Sequence, residues 1–135
     1  MLATNKPLQR APLQTAADRQ DVRRAMQRVM WIEDKSDGVV GPARVGWVER
    51  SNGGKKLVYG EQVFLSLRGA GFKANFYDRE TGAQYWISGC RKDGMDALYN
   101  TDVEVDDDAL EEYWCRIRAC PENLGVKKFR ARGKC

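Results

Sequence analysis

The residues from Gly71 to Lys92, GFKANFYDRETGAQYWISGCRK, constrain the chain most, because over that length they agree on a single conformation. Apolar and polar side chains alternate through Phe72, Lys73, Ala74, Asn75 and Phe76, the period of a half-buried strand. A turn follows in Asp78-Arg79-Glu80-Thr81-Gly82, and the β-rich run Tyr85-Trp86-Ile87-Ser88 returns. The pattern predicts a β-hairpin. If the loop Arg79 to Gly82 joins Asp78 to Ala83, Phe76 stands opposite Tyr85 and Ala74 opposite Ile87. A slip of one residue would move every side chain to the other face. This register therefore predicts a core face of Phe72, Ala74, Phe76, Tyr85 and Ile87. The opposite face carries Lys73, Asn75, Tyr77, Gln84, Trp86 and Ser88, with Arg91 and Lys92 just beyond. Positive charge beside aromatic rings is what a stacking surface for unpaired bases needs. Strand aromatics also serve as plain packing, and a helix laid over Tyr77 and Trp86 would make them core.

The charge is divided unevenly along the 135 residues. The net charge is +4, yet residues 1–25 carry five basic and two acidic residues, and Lys127, Lys128, Arg130, Arg132 and Lys134 follow Val126 with no acid. Both ends are basic, and the body between them sums to −4. A length of 135 residues suits one domain, and 42% hydrophobic with 31% charged residues is ordinary for a soluble globular protein. No stretch is long and apolar enough for a membrane-spanning helix.

The cysteines, Cys90, Cys115, Cys120 and Cys135, form no CxxC pair, and the chain has no histidine, so the familiar zinc ligand sets are out of reach. The first 25 residues contain no apolar run of signal-peptide length, which predicts reduced thiols in a cytoplasmic setting. No motif implies a cofactor or a metal.

In chain order, residues 1–16 hold two prolines and no periodicity, and are expected to be disordered. Thr15 opens a capping pattern, and Val22, Met26 and Val29 recur at helical spacing, so a short helix over 17–28 is expected. Met26 is also a candidate start of the chain proper. Met30-Trp31-Ile32 opens a first strand, and Val45 and Trp47 share a face of a second. Ser51-Asn52-Gly53-Gly54 suits the positive φ of a tight turn. Lys56 to Tyr59 and Gln62 to Leu67 supply two more strands. Short strands joined by glycine-rich turns predict an antiparallel meander curled into a small SH3-like or OB-like half-barrel.

Beyond the hairpin, acid accumulates from Asp102 to Glu112, where it complements the start of a helix. Leu110, Tyr113, Trp114 and Ile117 form one apolar stripe, and Pro121 stops it. The expected class is α+β: a flexible basic extension over 1–25, a β-rich domain over 26–121 closed by a C-terminal amphipathic helix, and a basic mobile tail over 122–135.

Four local patterns suggest chemistry and fail on inspection. Glu33-Asp34-Lys35 has the E-x-K spacing of a nuclease metal site but lacks a preceding acidic ligand outside the N-terminal segment. Asp102 to Asp106 starts like a calcium loop, but Asp107 occupies the glycine position and Tyr113 the glutamate position. Arg68-Gly69-Ala70-Gly71-Phe72 imitates an RNP1 motif, with its final aromatic one residue out of place at Phe76. Cys90 beside Arg91 and Lys92 has the neighbours of a lowered thiol pKa but no histidine as base.

The blocks Trp31-Ile32-Glu33-Asp34-Lys35, Gly41-Pro42-Ala43-Arg44, Phe72 to Asp78, Glu80-Thr81-Gly82 and Tyr85-Trp86-Ile87-Ser88-Gly89 with Lys92-Asp93-Gly94 resemble a family of short, uncharacterised bacterial proteins. The likeness spans about residues 26–114 and implies a bacterial, cytoplasmic setting. It implies no activity and no site residues.

The residues themselves favour a non-catalytic binding module. Its expected ligand is single-stranded nucleic acid, held by Lys73, Tyr77, Trp86, Arg91 and Lys92, with Lys127, Lys128 and Arg130 adding counterion release. The alternative is an accessory or inhibitory module that meets a protein partner through the aromatic face or a sheet edge, which the acidic body favours. An enzyme ranks third: without histidine, acid–base work falls to carboxylates, lysine or tyrosine, and no spacing brings a pair together.

Overall fold

The run Val29-Met30-Trp31-Ile32 offers no polar residue to solvent, and the fold buries both of its faces. In the computed structural model, which describes residues 27–134, it lies in strand β1 (Gln27–Asp34). Met30 and Ile32 turn into a barrel, while Val29 and Trp31 turn to a second cluster outside it. Burial on both sides is why this strand reads as a continuous apolar run instead of an alternation. The helix expected over 17–28 and the extension over 1–25 fall outside the described residues, apart from Gln27 and Arg28, which open β1.

Six strands close the barrel. After β1 come β2 (Ala43–Ser51), β3 (Lys56–Tyr59), β4 (Gln62–Ser66), β5 (Phe76–Asp78) and β6 (Gln84–Gly89), each antiparallel to the one before. β6 then returns to β1, from Met30↔Gly89 to Asp34↔Tyr85. Closure leaves no free edge around this circuit. The β2–β3 turn takes the positive φ its residues permit: Asn52 at 54°, Gly53 at 66° and Gly54 at 86°.

A ribbon extends the sheet beyond the barrel. β7 (Thr101–Val105) runs parallel to the start of β2, from Ala43↔Val103 to Val45↔Val105, and β8 (Lys128–Ala131) pairs antiparallel with β7. Residues 122–135 were expected to form a mobile tail. Instead Pro121–Asn123 make a 3-10 turn and four residues from Lys128 join the sheet. Phe129 supplies the reason, since it packs near Tyr113 and Trp114, with ring centroids 6.4 and 5.2 Å away.

The two clusters follow strand parity. Inside the barrel are Met30, Ile32, Val48, Leu57, Phe64, Phe76 and Ile87, with Tyr85 edge-on to Phe64 at 4.9 Å. Outside, Val29, Trp31 and Val45 meet Val103 and Val105 of the ribbon together with Tyr113 and Trp114. Full burial of each such side chain is worth about 1.5–3 kcal/mol. The amphipathic α-helix expected after Asp106 does not form as a regular helix. A 3-10 turn at Asp107–Ala109 runs into a π-type turn at Glu112–Ile117, bonded from the Arg118 amide to the Tyr113 carbonyl at 2.9 Å. These turns bury Tyr113 and Trp114, neighbours in sequence, against the outer cluster. Ala119 at φ 53° and Pro121 end the segment before any further turn. The described residues are thus a β-barrel with short helical turns, not an α+β pair of layers.

The central hairpin has the expected register. Phe76 pairs with Tyr85 and Tyr77 with Gln84, and the Asp78 amide donates to the Ala83 carbonyl at 2.8 Å. Phe72 departs from it. Expected in the core, it is 96% exposed, because β5 begins only at Phe76. The loop before β5 is closed at its base by the Leu67 amide on the Asn75 carbonyl at 3.0 Å, and the Asn75 side chain takes both the amide and the carbonyl of Ile87. Alternation extrapolated past Asn75 therefore assigns Phe72 to the wrong side.

Candidate functional site

The outward face of the β1–β6 ladder is where exposed apolar residues gather. Glu33 and Trp86 are register partners there, and loops on either side raise Val39, Phe72, Leu98 and Tyr99 around them. Together they bound a groove of about 440 Å³. Phe72, Trp86 at 39% and Tyr99 at 44% exposure present three rings to solvent, and Lys73 and Lys134 stand beside them. Exposed apolar clusters of this kind mark interaction surfaces.

A buried ion pair holds the groove floor. Lys35 Nζ lies 2.8 Å from Glu33 Oε2, and both side chains are almost wholly buried. Trp31 Nε1 donates to the other Glu33 oxygen at 3.1 Å, and Lys35 also donates to the Val39 carbonyl. The E-x-K spacing thus resolves into a strap. Residues two apart share a strand face, so the lysine reaches back to the glutamate and fixes the loop that carries Val39. Because both carboxylate oxygens and the ammonium have hydrogen-bond partners, the pair is structural.

Asp96 is the other buried charge of the groove. Its Oδ1 accepts the Arg91 amide at 2.8 Å, while Oδ2 has no partner among the described residues. Burial pushes its carboxyl up to about 6, with Asp93 adding to the rise and Arg118 and Arg91 opposing it. The adjacent Cys90 thiol is likewise pushed up by burial, so it is not the activated thiol that its basic neighbours in sequence suggest.

The residues expected to bind nucleic acid divide among three places. Lys73 and Trp86 line the groove. Tyr77 is half-buried on β5 opposite Gln84 and Leu65 and does not line the groove. Arg91 and Lys92 lie past the end of β6, where both guanidinium contacts of Arg91 go to Asp93, at 2.9 and 2.8 Å. Lys127 pairs with Asp107 at 3.1 Å and Arg130 with Asp102 at 2.8 Å, while Lys128 lines a separate cleft at the barrel mouth. Sequence reasoning missed Phe72, Leu98, Tyr99 and Lys134. Of these only Phe72 carried a signal, its position next to the glycines that open the loop.

Among the described residues no group of three or more cysteine, aspartate or glutamate side chains is arranged to hold a metal ion, and no helix is long and apolar enough to cross a membrane. The calcium-like stretch from Asp102 is spent on β7 and the 3-10 turn after it. Compared with family models, with curated proteins and with solved structures, the chain has no match.

Proposed function

We propose that the protein is a small non-catalytic module that binds single-stranded nucleic acid in the groove on the outward face of β1 and β6. The observation that carries this reading is the trio of exposed rings, Phe72, Trp86 and Tyr99, set around one groove with Lys73 and Lys134 at hand. Every base has a face that stacks on an aromatic ring, each such contact being worth about 1–3 kcal/mol, and lysines follow the phosphates without reading sequence. Small closed barrels of SH3-like and OB-like type, the finer architecture we favour for this fold, commonly recognise ligands on a strand face with flanking loops. Free thiols at Cys90, Cys115 and Cys120 fit the cytoplasmic setting that belongs to the same proposal.

Val39 and Leu98, 41% and 42% exposed, favour a second reading, in which an apolar protein segment lies in the groove. Fluorescence anisotropy with a labelled single-stranded oligonucleotide separates the two. The expected result is saturable binding at low salt that weakens at moderate salt and drops by about tenfold or more in Trp86→Ala. Absence of binding at low salt, or binding indifferent to Trp86→Ala, rejects the nucleic-acid reading. Capture of a partner from lysate that survives nuclease treatment and is lost in Phe72→Ala supports the protein reading.

A further inference from the structure

The barrel mouth holds a second cleft, independent of the groove. It encloses about 620 Å³ between the open end of the barrel and the β7–β8 ribbon, within the range of small-molecule sites. Ile32, Tyr85 and Phe129 give it apolar walls, and Arg44, Tyr59 and Gln62 converge on it with polar groups. Gly46, two residues after Arg44 on β2, makes room for the Tyr59–Asp106 pair that Arg44 joins. A Cβ at that position would collide with Asp106 and the Tyr59 ring.

Among the described residues, two charges that line this cleft have no ion pair: the Asp34 carboxylate on β1 and the Lys128 ammonium on β8. Arg44 is fully engaged: its Nε donates to the Tyr59 hydroxyl at 2.9 Å, one terminal nitrogen meets Glu104 at 3.0 Å and the other meets Asp106. Asp102 has Arg130. Asp34 accepts only the Ser36 amide, at 2.8 Å, and no cation answers it among the described residues. Asp78 sits buried behind Gln62, held by that side chain and by the Glu80 and Thr81 amides, again with no cation. Burial pushes the Tyr85 hydroxyl upward, a hydrogen bond with Gln62 opposes this, and the charges of Asp34 and Asp78 add to the rise. Asp34 thus stands at an apolar-walled opening without an ion partner, with Asp78 buried behind Gln62 and Lys128 on the ribbon as the other unpaired lining charge.

We propose that the barrel mouth binds a small organic cation, an ammonium or guanidinium on an apolar body, with Asp34 as its ion partner beside the rings of Tyr59 and Tyr85. The charge satisfies Asp34, the rings favour a cation at close range, and the body lies on Ile32 and Phe129. Three probes with one body and three charges test it: phenethylamine, 2-phenylethanol and phenylacetate. Each is titrated into the ¹⁵N-labelled full chain and followed by amide shifts. The amine should saturate with shifts at Asp34, Tyr59 and Gln62, binding about tenfold tighter than the alcohol and the acid. Asp34→Asn keeps the acceptor for Ser36 and should remove that preference, whereas Lys128→Ala should leave amine binding equal or stronger. Equal binding of all three probes overturns the proposal, as does tighter binding of phenylacetate, weaker amine binding in Lys128→Ala, or no saturable shift at the mouth.

Discussion

Two faces of one ladder do different work. Along β1 and β6, Ile32, Asp34, Tyr85 and Ile87 point into the barrel, while Trp31, Glu33 and Trp86 point out of it. The inward residues end in a mouth where aromatic walls surround unpaired acid. The outward residues end in a groove where a neutralised ion pair lies beneath exposed rings and lysines. The difference shows how a strand period of two lets adjacent residues serve sites of opposite character. Glu33 and Asp34 are the sharpest case: one is sealed against Lys35, and the other has no cation among the described residues.

The largest effect should come from breaking that seal. Glu33→Ala strands the Lys35 ammonium and the Trp31 N–H, and should cost about 3–5 kcal/mol in denaturant unfolding, whereas Asp34→Asn should cost less than about 1 kcal/mol. Equal costs would mean that the two faces are not distinct. Next is Asp96→Asn. The folded carboxyl sits near 6 against an ordinary 3.8, so the folded state holds the proton more tightly and loses relative stability as pH rises from 3.8 through 6. Replacing it should raise stability at neutral pH by on the order of 1–3 kcal/mol and do nothing at pH 3, measured as a denaturation midpoint across pH. A loss at neutral pH would show that the ionised form is needed.

A smaller effect is expected at the mouth. Tyr59 is pushed up to about 12 by burial and by its bond to Asp106, so the neutral hydroxyl is favoured in the folded state. Stability should fall as pH rises from 10 towards 12, and the fall should be shallower in Tyr59→Phe, which itself costs about 1 kcal/mol at neutral pH. An identical alkaline slope in the variant would remove Tyr59 from that transition. The smallest effect belongs to Phe72→Ala, which should leave thermal stability within about 0.5 kcal/mol, since a ring 96% exposed contributes no core contact. A larger loss would place the ring inside after all.

Much of the ladder was legible because its signals are local. Alternation and the Asp78–Ala83 loop specify the Phe76↔Tyr85 pairing, and the same parity turns Trp86 outward. What escaped depends on distant or nonlocal partners. Ala43 pairs with Val103 across sixty residues, and β8 gains its place from Phe129 against Tyr113 and Trp114, which no window around the basic tail contains. The stripe Leu110, Tyr113, Trp114 and Ile117 announced burial correctly but not the turn type, since packing decided it. Phe72 misled because a strand's period holds only while its ladder lasts. Tyr99 and Lys134 reach the groove only through tertiary placement, the Lys134 amide being tied to the Ala97 carbonyl at 3.0 Å.

The most direct test of the two-faced ladder is a ¹⁵N spectrum of the full chain titrated with a single-stranded oligonucleotide, in which each of the four tryptophans gives its own indole signal. The Trp86 indole and the amides of Phe72, Lys73 and Tyr99 should move together, while Asp34, Tyr59 and Gln62 stay still. Shifts centred on those three mouth residues, or a stationary Trp86 at saturation, would contradict the account.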